Sequence, residues 1–192
     1  MSNVLPVVAA IVKLAQTKRK GDPPKSTKLR GYLTISDTDR GVWGHVDLPQ
    51  AFVHGAYHLL KRTGVPCDKP EHPGHITGFL NSEIPKIKKK VGSDDWKAQA
   101  GHGKSFDFTI TGLKEVDPDG WREMDKVWFL TCRSPELEAH REKLGLTPLV
   151  NGHDFHITVA VRRKGKAYKV KAAAAVVKLL KEKKDGGAIS AG

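Results

Sequence analysis

Residues 154–161 read Asp154-Phe155-His156-Ile157-Thr158-Val159-Ala160-Val161. Phe155, Ile157, Val159 and Val161 alternate with His156, Thr158 and Ala160, the period of a strand with one buried face. His156 and Thr158 stand two apart and share the other face. A near-copy occurs earlier in the chain, Gly74-His75-Ile76-Thr77-Gly78-Phe79-Leu80. Each copy has a further histidine three residues before its own, His72 and His153. One His-x-Thr is a chance tripeptide; two on short apolar segments form a constellation. The copies differ most at Gly78.

Each copy closes a similar unit. Leu29–Ser36 reads as a first strand, followed by a turn at 37–41. Asp47 resembles an N-cap with Gln50 as its capping-box partner. The helix that follows turns Phe52, Val53, Ala56, Tyr57 and Leu60 inward and stops at Gly64. Pro66–Pro73 is a loop leading to the first His-x-Thr strand, over about 74–80. Glu83–Lys90 is short and basic, and 91–104 reads as a polar loop. Ser105–Leu113 and Lys126–Arg133 read as strands joined through the turn Asp117-Pro118-Asp119-Gly120. Ser134-Pro135 opens a helix that ends at Gly145, and Asn151-Gly152 leads into the second His-x-Thr strand. The order strand, helix, strand, two strands, helix, strand points to internal duplication.

The ends differ in character. Residues 3–17 fit a helix, and 18–28 are a basic Pro-Pro linker, so 1–28 forms an arm. The main domain is expected over 29–184, closing on a lysine-rich helix at 166–184, with a disordered tail at 185–192. Lys and Arg number 33 against 21 Asp and Glu, a net charge of +12 concentrated partly at these ends. Such a field attracts polyanions or serves solubility. Cys67 and Cys132 give neither a zinc framework nor a disulfide scaffold, which fits a reducing cytoplasmic compartment. The apolar run 4–15 lacks the charged start of a signal peptide and the length of a spanning helix, so no membrane partner is expected. Attachment of the N-terminal helix to a membrane surface is the third reading after catalysis and nucleic-acid binding.

The chemistry lies in the pair. If the two motif strands run side by side, two imidazoles and two hydroxyls meet in one cleft. Imidazoles flanking a phosphodiester serve as base and acid, and hydroxyls can hold the non-bridging oxygens. No metal is required.

His75-Ile76-Thr77 and His156-Ile157-Thr158, with their flanking strands and preceding helices, resemble the 2H phosphoesterase superfamily over roughly 29–165. The resemblance implies an α+β bilobal fold, with two antiparallel sheets forming a central groove and helices outside. It implies His75 and His156 as the acid–base pair and Thr77 and Thr158 as phosphate clamps. It also implies action on 2′,3′-cyclic phosphates, 2′–5′ linkages or related nucleotides; some phage members destroy the cyclic oligonucleotide signals of bacterial immunity. The expected partner is a small nucleotide or cyclic oligonucleotide, or an RNA end, with no cofactor.

Around the site, Tyr32 and Trp96 are candidates to stack bases, and Arg162 and Arg163 to hold further phosphates. Trp96 sits in a polar loop and is not expected in the core, whereas Trp128 and Phe129 read as structural. Three other readings stay open. His72, His75, His153 and His156 could be zinc ligands, although a three-residue offset on a strand puts each pair on opposite faces. His54 and His58, four apart on a helix, lack a third ligand. The basic surface could bind nucleic acid without catalysis.

Overall fold

The structure, a computed structural model, describes residues 28–168 apart from Arg40, Ser93 and Asp119. The expected N-terminal arm, tail and nearly all of the lysine-rich helix lie outside these residues; Lys166–Tyr168 form no helix.

Among the described residues six strands make one antiparallel sheet: β1 (Lys28–Thr38), β2 (Gly41–Asp47), β3 (His75–Phe79), β4 (Ser105–Val116), β5 (Met124–Arg133) and β6 (Phe155–Arg163). Their order is β3-β2-β1-β4-β5-β6. Each half is thus a three-stranded meander, and the halves join where β1 pairs with β4 from Tyr32↔Ser105 to Lys28↔Thr109. The α+β class is as expected. The two expected sheets are instead continuous through the β1–β4 ladder.

Among the described residues four α-helices accompany the sheet: α1 (Gln50–Arg62), α2 (Ile84–Val91), α3 (Trp96–Gln99) and α4 (Pro135–Lys143). α1 buries Phe52, Val53, Ala56, Tyr57 and Leu60, as its periodicity predicts. α4 starts as its sequence requires, with Ser134 Oγ accepting the N–H of Leu137 at 3.3 Å. The start of α1 departs from expectation. Asp47 ends β2 rather than capping a helix, and Pro49 occupies the N-cap with no side-chain bond. Gln50 turns back instead. Its amide donates to Leu48 O (3.0 Å) and Gly74 O (2.9 Å), and its oxygen accepts Gly74 N–H (2.8 Å).

Each half lends support to the other. α1, from the first half, packs against β6, and α4, from the second, reaches β3 through Arg141. The two end strands also touch each other. Because every neighbouring pair is antiparallel, β3 and β6 run in opposite directions. Leu33, Val46, Ile76, Phe79, Phe106, Phe108, Leu130 and Ile157 fill one core on the helix-bearing face, each almost wholly buried. Among the described residues no helix is long and apolar enough to cross a membrane.

Candidate active site

The face opposite the core carries the polar residues. On β3, His75 and Thr77 are half-buried while Ile76 between them is fully buried. On β6, His156 is exposed and Thr158 half-buried, with Ile157 buried between. The alternation read from sequence therefore holds through both motifs. It does not extend to Leu80, which is only half-buried and faces a cavity.

Both strands break register at the same place. His45 pairs with Thr77 but Gly44 pairs with Phe79, leaving Gly78 as the extra residue. Phe129 pairs with Thr158 but Trp128 pairs with Ala160, leaving Val159 as the extra residue. A bulge thus follows each threonine, and two buried residues then stand in a row. The position where the copies differ most is the bulge in both. Gly78 suits its site because a Cβ there would lie 3.2 Å from Leu33 Cδ1, and its carbonyl accepts from the Arg141 guanidinium.

The histidines are fixed in the same way. His75 Nδ1 lies 2.8 Å from Pro73 O, and His156 Nδ1 lies 3.3 Å from Asp154 O. A carbonyl only accepts, so Nδ1 carries the proton in each ring and Nε2 is left for external chemistry. The Gln50 clamp on Gly74 holds the segment that supplies the first of these carbonyls. Val53 of α1 leaves no room there beyond a glycine, because a Cβ at Gly74 would lie 2.3 Å from its Cγ2. In the second half, Asn151 (φ 50°) and Gly152 (φ 74°) form the tight turn that sets up Asp154.

Two adjoining cavities receive these groups. One, of about 400 Å³, is lined by His75, His156 and Thr158 together with His72, Trp121 and Met124. The other, of about 180 Å³, is lined by Thr77, His156, Leu80, Asn151 and His153. His156 is common to both. Opposed strand directions explain the pattern, since the threonine of one motif falls near the histidine of the other.

β2 contributes residues that the His-x-Thr pattern does not mark. Trp43 stacks on His45 at 4.0 Å between ring centroids and meets His75 edge-on at 4.6 Å. His45 Nε2 lies 3.2 Å from Asp47 Oδ1, and Thr34 Oγ1 donates to Asp47 Oδ2 at 2.5 Å. Phe129 plays the matching part in the other half, 5.0 Å from His156. The spacing Trp43-x-His45-x-Asp47 is itself a strand-face signal, obscured by two glycines.

Burial pushes His75 below the ordinary histidine value of 6.5; the charges of His45 and His72 add to this, and the Pro73 carbonyl and Asp47 oppose it. Burial also lowers His45 against the pull of Asp47, and lowers His140, whose Nε2 meets Ala100 O at 2.9 Å. A histidine with a folded-state pKa below its unfolded value supports the fold while neutral. Its share of stability is complete above 6.5 and is lost as pH falls through the lowered value. The melting temperature should therefore fall as pH drops below 6.5, measured by calorimetry, and His140→Asn should shrink that fall.

The remaining sequence candidates are placed as follows. Tyr32 is 57% exposed and pairs with Asp47, which pairs with His75, so it stands two strands from the histidine and lines neither cavity. Trp96 belongs to the core beneath Lys88, contrary to expectation, because 91–104 folds partly into α3. Arg162 is held by Asp125 at 2.8 Å and Arg163 by Glu71. Among the described residues, no group of three or more His, Cys, Asp or Glu side chains gathers to hold a metal ion.

Two tautomer-fixed histidines, each followed by threonine and bulge on the two end strands of a duplicated sheet, define a two-histidine phosphoesterase architecture. The Swiss Army Knife 2H phosphoesterase domain model matches residues 45–167, which include both motifs, and the chain belongs to the 2H phosphoesterase family. Membership implies phosphodiester hydrolysis. Neither the curated proteins nor the solved structures give a match.

Proposed function

We propose that the chain is a metal-independent phosphodiesterase that cleaves small cyclic or 2′–5′-linked nucleotides, with His75 and His156 as its acid–base pair. The observation that carries this reading is the shared cavity, where both rings and Thr158 line one nucleotide-sized space. His75, kept neutral by burial, takes the proton from the nucleophile through Nε2. His156 protonates the leaving oxygen. With a 2′,3′-cyclic phosphate the nucleophile is water; its oxygen bonds to phosphorus as one ring P–O bond breaks. With a 2′–5′ linkage the neighbouring 3′ hydroxyl attacks and the 5′ hydroxyl leaves. Thr158 and Thr77 donate to the non-bridging oxygens, where charge builds in the transition state.

A small ligand is favoured over a long nucleic acid by the state of the nearby cations. Arg162, Arg163, Lys126 and Lys166 all pair with carboxylates of the same chain. They present no run of open charge along β6 for a polyanion to follow. Cyclic oligonucleotide signals of the kind some phage members of this family destroy fall within the proposed class. Turnover of cyclic dinucleotides, cyclic trinucleotides, 2′–5′ dinucleotides and 2′,3′-cyclic mononucleotides, compared side by side, tests the linkage. Hydrolysis confined to ordinary 3′–5′ strands would exclude the proposal.

Thr158→Val removes one hydroxyl donor at nearly constant volume. It should lower kcat by about 10²–10³-fold with KM little changed, as loss of an oxyanion donor does. A purely binding role for the basic surface predicts instead no effect beyond salt-sensitive affinity.

A further inference from the structure

The chain has four tryptophans. Three are engaged within the fold: Trp43 lies on His45, Trp96 is buried beneath Lys88, and Trp128 donates its indole N–H to Glu115 at 2.9 Å. Trp121 is 49% exposed, and its indole has no ring, cation or hydrogen-bond partner among the described residues. Its backbone is nonetheless held in place. Its N–H donates to Pro118 O at 3.4 Å, and its carbonyl accepts from Lys164 Nζ at 3.0 Å, just beyond β6. The ring it presents forms part of the wall of the cavity that His75, His156 and Thr158 share, beside Met124 and Pro73.

A large apolar face left in water over a cavity of about 400 Å³ is unexplained by packing. The same cavity offers imidazoles and a hydroxyl for a phosphate. A ligand that satisfies both has an anionic group and a flat ring joined by a short spacer, which is the layout of a nucleotide. We propose that Trp121 is the stacking platform for the nucleobase next to the scissile phosphate. The proposal rests on the phosphodiesterase reading of this cavity and sharpens its substrate. Glu71, the carboxylate on the wall, has its Oε1 taken by Arg163. A stack on the Trp121 ring reads the face of the base and accepts purines and pyrimidines alike. Neither the alternation of strands nor the motif spacing marks Trp121, because it lies in the β4–β5 turn.

Calorimetric titration of the full chain with adenosine 3′-monophosphate, cytidine 3′-monophosphate and inorganic phosphate tests the assignment. Trp121→Ala should weaken both nucleotides about 10–100-fold, the range for lost base stacking, while phosphate binding stays within about twofold. Trp121→Phe should keep most of the affinity, which separates ring stacking from an effect on the turn. In turnover, the loss should fall on KM rather than kcat. Nucleotide affinity unaltered in Trp121→Ala, or phosphate affinity lost equally with it, would overturn the proposal. Binding needs no turnover, so nucleotide affinity that depends on Trp121 in a chain that hydrolyses nothing would sustain this proposal and refute the catalytic one.

Discussion

His75→Gln and His156→Gln should each lower kcat/KM on a 2′,3′-cyclic nucleotide by about 10²–10⁴-fold, the contribution expected of a positioned acid or base. Glutamine keeps a side chain of similar reach but cannot exchange a proton at neutral pH. The two variants should differ in their pH profiles. The wild-type acidic limb reports the group that must be neutral, assigned to His75, and its midpoint should lie below 6.5 because burial lowers that ring. His75→Gln should flatten this limb, whereas His156→Gln should leave it in place. Loss of the same limb in both variants would contradict the division of roles. The losses should not multiply in the double variant, since acid and base act in one transition state.

Arg141→Met should cost about 3–5 kcal/mol of stability, read as a fall in the urea midpoint at unaltered slope. Arg141 is wholly buried. Its guanidinium meets Glu83 Oε1 at 2.6 Å and Oε2 at 3.2 Å, Thr147 O at 2.9 Å and Leu149 O at 3.4 Å, as well as Gly78 O. Methionine fills most of the space but leaves the Glu83 carboxylate and those carbonyls short of a donor, which is the costly way to break a buried pair. The loss is large beside the 5–15 kcal/mol typical of a whole domain. Because the bulge carbonyl at Gly78 belongs to the first motif, the variant should also lose activity at temperatures where it stays folded. Arg141→Met combined with Glu83→Leu should recover part of the stability, and an equal loss in single and double variants would contradict the pairing.

Much of this architecture is written locally. The motif strands, the buried stripe of α1 and the Ser134 cap follow from alternation, helical period and a short-range hydrogen bond, all read within a few residues. β2 is obscured in the sequence because Gly41 and Gly44 weaken its strand pattern while Asp47 and Gln50 imitate a capping box. Gln50 in fact serves Gly74, a partner distant in sequence. The same holds for Arg162 and Arg163: their carboxylates come from Asp125 and Glu71, so no local pattern shows that their charge is taken. Trp96 departs from its local pattern for a related reason, since polar neighbours hide a one-turn helix that carries the ring under Lys88. The bulges at Gly78 and Val159 explain why the two copies tolerate different residues after threonine. Both are extra residues outside the ladder, and what each must fit is its own packing.

The arrangement of the halves bears on function as well as stability. A strand at the end of a sheet is easily displaced, yet both motif strands are end strands here. α1 braces β6, and Arg141 of α4 braces β3, so each motif is held by the other half's helix. Such crossed support keeps the two Nε2 atoms in register without a ladder between β3 and β6. It also means that damage to one half disturbs both ends of the site.

The most direct measurement is hydrolysis of the phosphodiester panel by the full chain in excess EDTA, with the His75→Ala/His156→Ala double variant alongside. The account predicts turnover of at least one cyclic or 2′–5′-linked substrate that EDTA leaves intact and the double variant lacks. Turnover abolished by EDTA and restored by a divalent cation, or retained in the double variant, would contradict it.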